Sequence, residues 1–381
     1  MTKKQLIRCI AFLMVTCVML LVLCELFDQE NFNAHEKRYR TYWDLEENTV
    51  DALYVGTSGV DRYWITPKAY EDYGMTVYPI TFPSCPVWLI PDILEDAMRY
   101  QDPQLIVLDI RPFTQNCKSV ETVTVRGTRA IDAMEFFSPV RFRAARRTAE
   151  LVHQIDPTRS EWDISFFLPF VMQHSKWEQD YLLQVNVGNH KDPYLGFYTS
   201  KWMVVYAEEQ EPQEYSRDVT EPLDPVAEQY LYETLAYIRE HGLDVVFVDS
   251  PKTYKDFEMA RTNTVRNILE EEGVPCLIFS SEQDNGGYAI DLDLKKDFFD
   301  KNHVNYYGAE KYTDVLAAYL NEHFDLPDRR NDEAAKKNWD GVYDILMEDV
   351  REYEKMIGEI SEEEMAKELA LEKGAAPDDS E

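Results

Sequence analysis

Five short apolar runs set the limits on this fold. They are Ala52–Gly56, Thr76–Thr81, Leu105–Ile110, Asp244–Asp249 and Pro275–Phe279, together rich in Val, Ile and Leu. Near-continuous hydrophobicity over so few residues suits strands covered on both faces, as in a parallel sheet. Helical patterns lie between and after them, at Pro91–Tyr100, Val226–His241, Phe257–Glu272 and Gly308–His323. In the second of these, Tyr230, Leu231, Leu235 and Ile238 share a face, and Gly242 ends the helix. Alternation of this kind means βαβ units, hence an α/β fold: a three-layer α/β/α sandwich on a five-stranded parallel sheet. Ligands bind such sheets beyond the carboxyl ends of the strands.

The start of the chain makes a different helix. Lys3, Lys4 and Arg8 are basic, and Leu6 to Phe27 is almost wholly apolar. That run is long enough to span a bilayer. No small-x-small cleavage site follows it, which favours an uncleaved anchor over a signal peptide. Basic residues on the short side predict a cytoplasmic N-terminus and an extracellular remainder of a single-pass membrane protein. The expected organisation is a cytoplasmic tip (1–5), a transmembrane anchor (6–27), a stalk (28–50), the α/β domain (51–325) and an acidic helical tail (326–381).

Charge and cysteine usage exclude other classes. The net charge is −32, from 39 basic and 71 acidic residues, which repels nucleic acid as a partner. Three cysteines (Cys9, Cys17, Cys24) fall in the apolar run and three (Cys85, Cys117, Cys276) beyond it. An odd number outside the run is no disulfide framework. Cys85 and Cys117 stand either as a pair or as two free thiols. No metal-ligand spacing and no cofactor motif is present.

Residues 118–224 break the alternation and read as a helical insertion over the active-site edge, where insertions shape substrate sites. It carries Arg126, Arg129, Arg141, Arg143, Arg146 and Arg147, then Trp162, His174 and Trp177. The cluster from Arg141 to Arg147 is either a solvated helix face or a partner for an anionic substrate. From Pro327 onward the chain has 18 acidic and 8 basic residues. Trp339, Val342, Tyr343, Ile345, Leu346 and Tyr353 give it one or two amphipathic turns, and its end reads as disordered.

The chemistry begins where the first strand ends, at Gly56-Thr57-Ser58-Gly59. Small residues on either side let the backbone turn sharply and another molecule approach. A serine hydroxyl is a weak nucleophile and needs a base within hydrogen-bond reach. His303 can be that base, since its ordinary pKa lies near neutrality. Asp300, three residues earlier, can hold the other ring nitrogen and fix the tautomer. Both precede the last helix, in Asp297-Phe-Phe-Asp300-Lys-Asn-His303-Val-Asn305-Tyr-Tyr-Gly308-Ala309.

Gly56-Thr57-Ser58 after the first strand, with Asp300-x-x-His303-x-Asn305-x-x-Gly308-Ala309 before the last helix, resembles the SGNH (GDSL-like) hydrolase superfamily. The resemblance covers Asp51 to Phe324. It looks closest to membrane-anchored bacterial members, such as the D-alanyl transfer protein of teichoic acid synthesis and alginate acetyltransferase-like proteins. It implies a flavodoxin-like sheet and a catalytic triad of Ser58, His303 and Asp300. The family's second block carries a Gly and its third an Asn, which help form the oxyanion hole. Here Thr81-Phe-Pro-Ser84-Cys85 has no glycine, and Asp109-Ile-Arg111-Pro-Phe-Thr-Gln-Asn116 has no Gly-x-Asn-Asp. The Ser58 N–H is available as an oxyanion donor. Arg111 stands where the third-block Asn would be, either as a second donor or as a partner of Asp109 or another acidic neighbour.

The expected function is a membrane-anchored extracellular serine esterase or O-acyltransferase. Its substrate would be a cell-envelope polysaccharide or teichoic acid, with a membrane-bound O-acyltransferase as a possible partner. The alternative is a catalytically degenerate SGNH-like scaffold in an envelope acylation complex.

Overall fold

A computed structural model of the chain describes residues 2–26, 34–168, 171, 192–205, 209–211, 213–361, 363–365 and 367–368. Its strands are β1 (Ala52–Gly56), β2 (Val77–Thr81), β3 (Leu105–Asp109), β4 (Asp244–Asp249) and β5 (Cys276–Ile278). They form one all-parallel sheet in the order β2-β1-β3-β4-β5. This is the flavodoxin-like order, and each strand lies within a residue of its sequence-predicted run at either end, apart from small trims. The chain reverses its direction of growth between β1 and β3. The crevice at that switch point is where a doubly wound sheet receives a ligand.

The helices in chain order are α1 (Lys3–Leu26), α2 (Ala34–Trp43), α3 (Ser58–Asp61), α4 (Thr66–Tyr73), α5 (Ile90–Ala97), α6 (Arg111–Thr114) and α7 (Val120–Ala133). There follow α8 (Pro139–Ile155), α9 (Lys201–Val205), α10 (Pro225–Glu240), α11 (Asp256–Glu271), α12 (Tyr306–His323), α13 (Glu333–Trp339) and α14 (Val342–Glu359). The strands alternate between two apolar layers because successive side chains point to opposite faces. Leu53, Val55, Ile106 and Leu108 pack one way, against Leu231 and Leu235 of α10 and Val265 and Leu269 of α11. Tyr54, Val107, Val246 and Val248 pack the other way, against Tyr312, Leu316 and Leu320 of α12. The hydroxyls of Tyr54 and Tyr312 meet at 2.7 Å, so β1 and α12 are tied by a bond as well as by packing.

Helix α1 is long and apolar enough to cross a membrane, and its side chains are exposed along most of its length. The next segment differs from its expectation as a stalk. From Arg38 on it belongs to the domain. Tyr39 and Tyr42 are buried in the layer that holds Leu53 and Val55. Their hydroxyls reach Asp96 (3.1 Å) and the Ala97 carbonyl (2.8 Å), and Arg38 pairs with Asp61 inside the fold.

The tail is also docked. Trp339, Leu346 and Val350 are each at most 2% exposed. Arg329 grips the buried Asp51 carboxylate with Nε and Nη2 at 2.9 and 2.6 Å. Helix α14 runs for five turns' worth of chain rather than one or two. Of residues 362–381, which read as frayed or disordered, 363–365 and 367–368 are helical and the others lie outside the described residues, as do His174 and Trp177. Cys85 and Cys117 are free, buried thiols.

Candidate active site

Asp109, at the end of β3, organises the switch point. Its Oδ2 accepts the Thr57 N–H (3.0 Å) and hydroxyl (2.5 Å), while Oδ1 accepts the Arg111 N–H (3.0 Å). One carboxylate thereby fixes the turn after β1 to the turn after β3. Gly56 makes the approach possible: a Cβ there would lie 2.2 Å from Asp109 Cβ. Thr57 then caps α3, its hydroxyl accepting the Gly59 N–H at 3.2 Å. Ser58 is the first residue of that helix, so its N–H has no intrahelical acceptor.

The loop before α12 supplies the other half. An isolated antiparallel bridge joins Phe298 to Val304 and pinches off the residues between them. Asp300 Oδ1 accepts the Asn302 N–H at 2.7 Å, which tightens the turn. Asn305 caps α12 by accepting the Gly308 N–H (3.1 Å), and its own amide donates to the Lys296 carbonyl (2.6 Å). Gly308 leaves room for the loop, since a Cβ there would lie 2.3 Å from the Asp297 carbonyl oxygen. Lys311 closes the frame on Asp297 at 2.6 Å. Asn305 and Gly308 are thus scaffolding for the histidine.

These two halves meet. Ser58 Oγ stands 2.8 Å from His303 Nε2, and His303 Nδ1 stands 2.9 Å from both oxygens of Asp300. A carboxylate on Nδ1 assigns the proton to that nitrogen and leaves Nε2 as acceptor for the serine hydroxyl. Burial pushes the His303 pKa below its ordinary 6.5, and the charges of Arg62 and Arg111 push the same way, against the Asp300 carboxylate. Burial alone would raise Asp300. The His303 hydrogen bond and charge, the Asn302 N–H and Arg62 outweigh it and hold Asp300 at about 2. At neutral pH the arrangement is a neutral imidazole between a hydroxyl and a carboxylate, able to take a proton from Ser58.

Arg111 lies beside the serine. Its Nη2 donates to Ser250 Oγ at 2.8 Å, and its guanidinium sits over the Tyr63 ring at 5.5 Å. Its Nε is 4.0 Å from Asp249. It is 7% exposed yet lines the same pocket as Ser58 and His303. Arg111 therefore has structural partners in Ser250 and Asp249, and it also lines the pocket that Ser58 lines.

Three features escaped the sequence. Ser84, after β2, has φ +50° and lines the pocket. This is the left-handed region that favours glycine, at the block where the SGNH resemblance implies a glycine. Arg62, over the Tyr198 ring at 4.9 Å, biases the titration of the pair. The pocket, about 320 Å³, also gathers Lys118, Arg126, Lys252 and Lys255 from far-apart places in the chain.

The Arg141–Arg147 cluster contributes nothing to this site. Arg141 is buried and binds Asp132 (3.1 Å) and the Met134 carbonyl (2.9 Å). Arg143 and Arg147 pair with Asp92 at 2.9 and 3.3 Å, and Arg146 with Glu150 at 2.7 Å. Arg141, Arg143 and Arg147 hold α8 to its neighbours, while Arg146 pairs within α8 itself. Among the described residues, no group of three or more His, Cys, Asp or Glu is placed to hold a metal ion. Comparison with protein-family models, curated proteins and solved structures returned no match to this chain.

Proposed function

We propose that this chain is a membrane-anchored serine enzyme of acyl esters. Ser58 attacks the ester carbonyl, His303 takes its proton and later returns it to the leaving oxygen, and Asp300 orients the imidazole and stabilises its charged form. The observation that carries this reading is the unbroken chain from Ser58 Oγ to His303 Nε2 (2.8 Å) and from Nδ1 to Asp300 (2.9 Å). The Ser58 N–H and Arg111 are the donors offered to the oxyanion. The resemblance of these blocks to SGNH hydrolases agrees with the assignment.

The apolar helix α1, with Lys3, Lys4 and Arg8 on its short side, supports a cytoplasmic N-terminus and an extracellular catalytic domain. An anchored site stays beside membrane-tethered substrates. This favours transfer of the acyl group to a cell-envelope glycan or teichoic acid, with a membrane-bound O-acyltransferase as the donor side. The test is to replace Ser58→Ala in the cell and measure ester-linked acyl groups in the envelope. A changed acyl content supports the reading, and an unchanged one ends it.

A further inference from the structure

Helix α1 ends against the domain. Its side chains are exposed along most of its length, but Cys24 is buried. Leu21 and Cys24 line a cavity of about 580 Å³ together with Trp43, Tyr100, Phe136 and Phe137. Both helix residues belong to the stretch apolar enough to cross a membrane, Lys3–Cys24. A domain side chain that shares a cavity with them stands at the depth where the polar boundary of a bilayer begins. Aromatic rings favour that zone.

From that cavity a row of aromatic rings continues over the surface. Phe137 meets Phe136 edge-on at 5.1 Å between centroids, and Phe136 meets Phe167 at 5.2 Å. Phe167 meets Phe142 at 6.0 Å, and Phe142 meets Trp162 at 5.2 Å. Phe137, Phe142, Trp162 and Ile164 are exposed, Phe137 by 75% and Trp162 by 54%. The row has a fixed base. The buried Arg141 guanidinium lies against the Phe136 and Phe167 rings at 5.1 and 5.8 Å, and it donates to the Met134 and Phe167 carbonyls at 2.9 and 3.4 Å. Single exposed apolar residues are ordinary, but a continuous row of large rings held open to water is costly unless something apolar covers it. Arg146 flanks the row, 5.9 Å over the Trp162 ring, on a side chain long enough to keep its charge among lipid headgroups.

Resting on the reading of α1 as a membrane anchor, we propose that this row is a second membrane contact: Phe137, Phe142, Trp162 and Ile164 sit in the polar boundary of the leaflet from which α1 emerges. The occupant is lipid because the row begins at the membrane helix itself. The net charge of −32 leaves burial of rings, not attraction of charge, to hold the face there. Such a seat fixes the tilt of the domain, which a single helix alone leaves free to swing about its end. It also sets a spacing. Thr122 near the start of α7 lines the pocket of Ser58, and Ala133 at its end lines the cavity beside α1. The 14 residues of α7 span about 21 Å, so this helix is the spacer between lipid and pocket.

The experiment reconstitutes the full-length chain into phosphatidylcholine vesicles, with and without bromine near the top of the acyl chains, and reads tryptophan emission. The difference between the parent and Trp162→Phe isolates Trp162. Most of that emission is expected to be lost in the brominated vesicles. Phe137→Glu with Phe142→Glu, both at exposed positions, is expected to restore it while the chain still floats with the vesicles. Trp162 emission that bromine leaves intact overturns the proposal, whether iodide reaches the ring from water or a protein surface shields it. Quenching that the double substitution leaves unchanged also overturns it, by assigning the depth of Trp162 to α1 alone. A parent chain that does not float with the vesicles contradicts the anchor, and the aromatic seat falls with it. The assignment of Ser58 is untouched by any of these results.

Discussion

The guanidinium of Arg111 occupies the space that a side chain at residue 59 would need. A Cβ on Gly59 would lie 2.6 Å from Arg111 Cζ and 2.8 Å from Nε. Gly59 directly follows Ser58, so this close approach holds a positive charge against the backbone beside Ser58. Gly59→Ala must push the guanidinium off its seat on Tyr63 and Ser250. Hydrolysis of a simple ester such as 4-nitrophenyl acetate should fall about a hundredfold, comparable to loss of one oxyanion donor. Arg111→Met should give a similar loss in kcat with little change in KM. A loss confined to KM would assign Arg111 to substrate binding alone.

Acid acts on the site in one direction. The proposed base is neutral His303, whose pKa lies below 6.5 chiefly through burial. As pH falls through that depressed value the imidazole becomes charged and the rate drops. Above it the rate is flat. A pH–rate profile should therefore show an acid limb with its midpoint below pH 6.5. Asp300→Asn removes the carboxylate that raises the His303 pKa. The limb should move to still lower pH, and the plateau rate should fall about a thousandfold or more as the tautomer is lost. For stability the sign is the same. The Asp300 pKa is depressed from 3.8 to about 2, so its contribution is present above 3.8 and is lost as pH falls through about 2.

Ser84 offers a backbone test. At φ +50° a serine pays a steric cost that glycine avoids, while glycine loses more entropy on folding. Ser84→Gly should stay within about 1 kcal/mol of the parent stability, the two effects opposing each other. Ser84→Val, β-branched, should destabilise by about 2 kcal/mol. Urea denaturation of the detergent-solubilised chain reads both.

The loop that carries His303 depends on Gly308. Gly308→Ala would place a Cβ 2.3 Å from the Asp297 carbonyl oxygen and 2.7 Å from Val304 Cβ, neither of which is a flexible side-chain end. The backbone must shift, at a cost of about 1–3 kcal/mol. Because the shift lies five residues from His303, ester hydrolysis should fall along with the denaturation midpoint.

The sheet was legible because its strands are buried on both faces. Residues such as Leu53 and Tyr54 have nothing polar to alternate with, so the runs stand out against amphipathic helices. The Ser58–His303–Asp300 arrangement was legible because Asp300 and His303 sit close in sequence, in the loop between β5 and α12, opposite the serine just after β1. The segment around Tyr39 was misread for a physical reason. Its buried groups are tyrosines and an arginine that carry their own hydrogen-bond partners, Asp96, the Ala97 carbonyl and Asp61. Such a segment buries area without looking apolar. In the tail, isolated large residues such as Trp339 and Leu346 do the packing within an acidic background. The cationic wall was invisible for another reason: Lys118, Arg126, Lys252 and Lys255 converge only because the sheet brings the ends of β3 and β4 side by side. No local pattern encodes the left-handed backbone of Ser84.

The central claim is that His303 activates Ser58. The most direct measurement is mass spectrometry of the full-length chain after treatment with a fluorophosphonate at neutral pH. A single phosphonyl adduct on Ser58 is expected, lost in Ser58→Ala and strongly slowed in His303→Ala. Absence of the adduct in the unsubstituted chain, or an adduct that forms equally fast without His303, would contradict it.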